Sequence, residues 1–268
     1  SITVFRKTPV HVPNMAMINA VSKLTWRAFE RHYSLTTYEQ LISKLDSTIP
    51  VYPDWIKGIA CALGSAGLAF LYSGDMIAFI VTVICSLIGY FGRTLSVRFG
   101  CNEYVGIAIG GFAAMVSAYG FYSHIEQDSL VYVLVCCTLF MIPGVPLINS
   151  VIDTINNHIL SGITRAIRTI LIVGSMTLGM AMALYFNPMP AFSFVDIKPH
   201  VLTIEQIIGA FTAAASFAVL FNAPVRLLVS IGIGGVLCVF IRNLLTVEFG
   251  FSIPGATFVG AAVMSVIY

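Results

Sequence analysis

Apolar residues in this chain come in long runs, where a soluble domain would show short alternating stretches. Runs near the ~20 residues that a spanning helix needs lie at 55–73, 75–92, 103–122, 130–149, 163–186, 204–222, 225–246 and 253–268. The pattern predicts eight transmembrane helices, the last one short. Everything before Trp55 differs in kind. Residues 14–32 and 36–48 predict two amphipathic helices, the second opened by a capping box in which Thr36 precedes Glu39 by three positions. Pro50 and Pro53 then make a stiff linker. The expected fold class is an all-α polytopic membrane protein. Its units are a helical region at 1–54, a five-helix membrane domain at 55–190 and a three-helix membrane domain at 200–268. The chain starts at Ser1 without a signal-peptide pattern and stops at Tyr268 within an apolar run, so both ends are expected to be cut.

Composition agrees with that class. Of 268 residues, 58% are hydrophobic and 10% charged, against roughly 25% charged in a soluble domain. A formal net charge of +2 with no basic tract excludes nucleic acid as a partner. The 6 cysteines sit almost entirely in apolar runs without metal-ligand spacing, so they read as small hydrophobic residues. No metal or cofactor is implied.

Lysine and arginine set the expected orientation. With the N-terminus in the cytoplasm, Arg6, Lys7, Lys23, Arg27, Arg31, Lys44, Lys57, Arg93, Arg98, Arg165, Arg168 and Arg226 all fall inside. Only Lys198 and Arg242 fall toward the outside, where Asp75, His124, Glu126, Asp128, Asp196 and His200 also lie. The positive-inside rule selects this orientation. A multi-pass protein of the cell's inner (plasma) membrane, in contact with lipid, is the consequence.

The sharpest irregularity is Ile142-Pro143-Gly144-Val145-Pro146-Leu147-Ile148-Asn149. Two prolines and a glycine interrupt the hydrogen-bond ladder where lipid offers no substitute. Such breaks persist only where protein or a water-filled cavity satisfies the freed groups. Asn149, Asp153, Asn157, Ser161 and Arg165 follow at intervals of four, so a continuous helix would carry them as one polar stripe. For Ser161 and Arg165 an interfacial position suffices. Asn149 and Asp153, beside the break, read as facing a solute. Asp153 is the carboxylate suited to proton coupling, because partial desolvation favours the protonated form of a carboxyl group. Gly106 and Gly110 form a GxxxG pair that reads as helix packing. Asn222 precedes Pro224 and Arg226 at a cytoplasmic turn. Arg242 lies within the seventh run, either snorkelling to the surface or lining a cavity. Glu103 and Glu205 open helices as partners of their dipoles. No catalytic set is visible: a membrane hydrolase would need a paired nucleophile and base or a His-Glu-x-x-His set, so the chain is not expected to be an enzyme.

These residues carry a resemblance. Val51-Tyr52-Pro53-Asp54-Trp55, the block IPGVPLINSVIDTINNHILSGITR at 142–165, and FAVLFNAPVRLL at 217–228 followed by Ile253 to Gly260 resemble the threonine/serine exporter family in its fused form. The resemblance implies an inner-membrane protein of about ten helices that exports threonine and serine by proton antiport. It implies roles for Pro143, Gly144, Pro146, Asn149, Asp153, Gly162 and Arg165 in the first half, and for Asn222, Pro224 and Arg226 in the second. With the residues read above, the expected solute and ion pathway is Pro143, Gly144, Pro146, Asn149, Asp153, Asn157, Arg165, Asn222 and Arg242. The family's second half continues past the point where this chain stops, so only one of two broken helices is expected here. Split relatives suggest a dicarboxylate such as succinate as alternative cargo, and a non-transporting assembly subunit is the other alternative. A homo-oligomer is left open.

Overall fold

The computed structural model describes residues 14–49, 51–73, 75–121, 127–187 and 203–267. Arg6, Lys7, Pro50, His124, Glu126, Asp196, Lys198 and His200 lie outside the described residues, as does the side chain of Asp128. Two helices precede the membrane region: α1 (Met15–Arg31) and α2 (Leu35–Thr48). Then follow α3 (Asp54–Ser73), α4 (Met76–Arg98), α5 (Glu103–Gly120) and α6 (Gln127–Cys136). After a 3-10 turn at Leu139–Met141 come α7 (Gly144–Ile155), α8 (Ile159–Phe186), α9 (Ile204–Leu220), α10 (Val225–Phe249) and α11 (Ile253–Ile267).

Side-chain caps start α1, α2, α4, α5 and α9 by satisfying a first-turn N–H. Asn14 Oδ1 accepts from Met17 N at 3.0 Å and Asp75 Oδ1 from Ile77 N at 2.9 Å. Asn102 Oδ1 accepts from Tyr104 N at 3.2 Å, so Glu103 is the first helical residue of α5. The capping box expected at Thr36 is not the cap of α2. Ser34 takes that place, in extended conformation, and accepts from Thr37 N at 3.3 Å, which leaves Thr36 already inside the first turn.

The expectation of eight spans exceeds what the described helices support. Four helices, α3, α4, α8 and α10, are long and apolar enough to cross a membrane, and the bent pair α6–α7 makes up to 5. Residues 204–222 form a helix of only 17 residues that ends at Leu220, ahead of Pro224, and α11 in the run at 253–268 has only 15. In α5 the opening Glu103 and the glycines at 106, 110 and 111 dilute an otherwise apolar helix. The run at 130–149 is not one straight helix but part of the bent pair α6–α7.

α3 sits at the centre, packed against α4, α6 and α9. Small residues allow its close approach to α9. A Cβ added at Gly67 would stand 2.8 Å from the Gly209 carbonyl oxygen, and one at Gly209 2.7 Å from the Gly67 carbonyl oxygen. The first and second halves of the chain are joined through this seam. A second core of Ala78, Val81, Cys85, Ala114, Met115, Leu130, Val133 and Leu134 fixes α4, α5 and α6 together. Gly106 and Gly110 are packing positions: a Cβ at Gly110 would meet Met141 Cε at 2.6 Å and the Gly89 carbonyl oxygen at 2.8 Å. That contact seats the 3-10 turn, and therefore the break that follows it, against α4 and α5.

Candidate functional site in a broken membrane helix

The break begins where proline restricts its predecessor. Ile142, before Pro143, is extended (φ −63°, ψ 123°). Pro143 takes φ −81°, ψ 61°, and Gly144 N donates to the Ile142 carbonyl at 2.9 Å, forming an inverse γ-turn. α7 then starts at Gly144, and its first regular bond is Leu147 N to the Pro143 carbonyl at 3.1 Å. Pro146 falls in the first turn, where a missing N–H costs nothing. The chain bends by 58° across this point. Two carbonyls, those of Phe140 and Met141, accept no backbone hydrogen bond among the described residues, and the Val145 N–H finds no backbone acceptor. Unpaired carbonyls and an unpaired N–H thus flank one turn. A Cβ added at Gly144 would meet nothing within 4 Å, so the backbone there borders open space.

Beyond the break the polar stripe does not run along one helix. α7 ends at Ile155, and Asn157 adopts the left-handed conformation at φ 62°. His158 N donates to the Asp153 carbonyl at 2.8 Å and Asn157 N to the Thr154 carbonyl at 3.2 Å, the paired bonds of a Schellman stop. Asn157 is thus a helix terminator. The chain reverses, and Gly162 lets α8 pack on α7, since a Cβ there would collide with Thr154 Oγ1 and stand 2.9 Å from the Ser150 carbonyl oxygen. The reversal brings Arg165 Nη1 to 2.7 Å from Asp153 Oδ2. No donor is aligned on that oxygen for a hydrogen bond, so the contact is an ion pair held by charge. Asp153 is the more enclosed partner, its side chain 20% exposed against 49% for Arg165. Asn149 lies half-buried one turn earlier.

The family model for threonine/serine exporters, ThrE, matches residues 1–187, and a second model described as Threonine/Serine exporter, ThrE, matches residues 206–268. The chain belongs to the threonine/serine exporter family. It is 23% identical over 192 residues to a Klebsiella aerogenes protein described as probable succinate transporter subunit YjjP, covering 68% of this chain and 70% of that protein. It is 24% identical over 185 residues to the Escherichia coli protein of the same description, covering 68% of this chain and 71% of that one. No solved structure matches the chain. Membership in this exporter family and the apolar spans together make the chain a multi-pass transport protein acting on a small molecule.

The remaining exporter residues lie away from the break. Asn222, 4% exposed and left-handed at φ 53°, closes α9 and receives the N-terminal region. Its Nδ2 donates to Asn14 Oδ1 at 2.7 Å, and its Oδ1 accepts from Tyr52 N at 3.0 Å. Its own carbonyl accepts from Ala16 N at 3.1 Å, and Tyr52 Oη donates to the Ala223 carbonyl at 3.1 Å. Asn222 is therefore a structural junction. Pro224 caps α10 and Arg226 is exposed in its first turn. Arg242 lies far along α10 from that turn. Its Nε and Nη2 both donate to Asn243 Oδ1 at 3.1 Å, and its guanidinium stands 5.9 Å from the centre of the Tyr72 ring.

Ion pairs collect at the end of the bundle where the N-terminal region docks. Glu103 bridges Arg93 at 3.6 Å and Arg168 at 3.3 Å, and Asp54 pairs with Arg98 at 3.1 Å. These pairs bring together the start of α3, the end of α4 and the starts of α5 and α8. Asn14, Gln206 and Asn243 are structural partners that sequence reading did not single out. One signal was present, since Asn243 is an amide next to an arginine inside an apolar run.

Proposed function

We propose that this chain exports threonine and serine from the cytoplasm in exchange for protons, binding the cargo at the break between α6 and α7. The observation that carries this reading is the pairing of opposite polarities at one turn. The unpaired Phe140 and Met141 carbonyls suit an ammonium group. The Val145 N–H at the positive end of α7 suits a carboxylate. A zwitterionic amino acid needs both. Asn149 and Asp153 continue the polar path, and Asp153 carries the exchanged proton. Its ion pair with Arg165 exists only while the carboxylate is charged, so protonation would remove one tie between α7 and α8, beside the Gly162 packing that remains, and couple the proton to the hairpin. In this reading the N-terminal region and the ion-paired end face the cytoplasm, in accordance with the distribution of basic residues. The membrane units at 55–190 and 200–268 act together through the α3–α9 seam.

Asp153→Asn tests the mechanism. Gradient-driven threonine efflux from cells should fall to the background of cells lacking the protein, with the amount of protein in the membrane unchanged. Efflux at the unsubstituted rate would remove Asp153 from the mechanism.

The descriptions of the two relatives favour a second reading, in which the cargo is a dicarboxylate such as succinate and the chain works as one subunit of a complex. In proteoliposomes, succinate in tenfold excess should leave labelled threonine efflux unchanged if threonine is the cargo. Suppression of efflux by succinate would favour the second reading.

A further inference from the structure

We propose that Arg242 and Asn243 form a binding site for a single carboxylate group of the transported solute, at the end of the bundle opposite the docked N-terminal region. The inference rests on the transport reading only for the identity of the solute. Arg242 lies seven residues before the end of α10 (Val225–Phe249), about 10 Å of helix at 1.5 Å per residue. It sits beside Tyr72 in the last turn of α3 and, through Asn243, beside Gln206 in the first turn of α9. A guanidinium is charged at every relevant pH. Within a membrane helix such a charge is costly, and it marks a functional site unless something neutralises it.

Nothing among the described residues does. Arg93, Arg98, Arg165 and Arg168 each pair with a carboxylate within 4.0 Å, whereas Arg242 has none there. Its partners are an amide oxygen and an aromatic ring, which orient a cation without cancelling its charge. The orientation is well determined. Asn243 is 6% exposed, and its Nδ2 donates to Gln206 Oε1 at 2.8 Å, so its oxygen is the atom left to face the guanidinium. That oxygen takes Nε and Nη2. Nη1 has no hydrogen-bond partner among the described residues and Arg242 is only half-buried, so that edge is open to an anion. Tyr72 stacks on Tyr132 with ring centres 6.0 Å apart and planes 12° apart, a stiff wall on which the guanidinium rests. One cation with one free edge matches a single carboxylate group.

Binding to the detergent-purified full chain decides the matter, with labelled L-threonine as probe and L-threoninol, in which a CH2OH group replaces the carboxylate, as competitor. Threoninol should displace the label at least tenfold less effectively than unlabelled threonine. Arg242→Gln should weaken threonine binding tenfold or more and leave threoninol binding unchanged, with Arg242→Lys intermediate. Equal competition by threoninol on the unsubstituted protein would overturn both this site and the carboxylate contact at Val145. A preference for threonine over threoninol that Arg242→Gln leaves unchanged would overturn this site alone and keep the break as the carboxylate's place. Threonine binding unchanged in Arg242→Gln, together with loss of thermal protection by anionic lipid, would assign the arginine to a headgroup and also overturn it, leaving the transport reading intact. Succinate binding that Arg242→Gln abolishes, with no threonine binding, would uphold the carboxylate site and overturn threonine as cargo.

Discussion

Asn157 shows how one residue decides the layout of the site. Its φ of 62° ends α7 and permits the bonds from His158 N and Asn157 N that close the helix. Left-handed backbone costs most residues roughly 1–2 kcal/mol, with glycine exempt and asparagine tolerant. Asn157→Gly should therefore leave the thermal midpoint in detergent unchanged, whereas Asn157→Val should lower stability by about 1–2 kcal/mol. Equal midpoints for the two variants would contradict the turn assignment. The same reversal explains why Asp153 meets Arg165. In sequence these two residues are twelve apart on a four-residue periodicity, which suggests one face of one helix. Nothing in that periodicity reveals that the helix stops between them, because asparagine is common both in turns and on polar faces.

At the level of elements, the α7–α8 hairpin and the α6–α7 break have different origins. The break was legible, since proline at 143 removes an N–H and forces Ile142 to be extended whatever surrounds it. The hairpin depends on a contact. Gly162 is buried where a Cβ would strike Thr154 Oγ1, while a Cβ at Gly174, on the same helix, would meet nothing within 4 Å. Gly162→Val should destabilise the protein by about 1–3 kcal/mol through overpacking and reduce efflux by separating Asp153 from Arg165. Gly174→Val should do neither. Comparison of midpoints and efflux rates for the two variants checks this. The thirteen residues from Leu130 to Ile142 also show what length alone does not reveal. A run apolar enough for one span was divided between a helix, a 3-10 turn and an extended residue, so hydropathy counted a span that the backbone does not make straight.

The whole molecule is held by contacts between segments far apart in sequence. Asn222 joins the N-terminal region to the α9–α10 turn through Asn14, Tyr52 and Ala16. Removing its side chain leaves the part-buried Tyr52 N–H without its acceptor and takes from Asn14 Oδ1 one of its two donors, at about 1–3 kcal/mol. Asn222→Ala should consequently speed tryptic cleavage at Lys23, Arg27 and Arg31, and an unchanged cleavage rate would refute the docking role. By itself the sequence determined that this chain is helical and membrane-spanning, where its backbone must break, which end carries the cations and which exporter family it resembles. Those properties follow from composition, proline stereochemistry and charge, which act locally. Tertiary structure alone decided that Asp153 pairs with Arg165, that Asn222 serves as a junction and that Arg242 is oriented by Asn243 and Gln206. It also decided that α3 and α9 meet through Gly67 and Gly209. Each of these depends on which surfaces come within a few ångströms after the chain reverses, and periodicity along one helix carries no record of that.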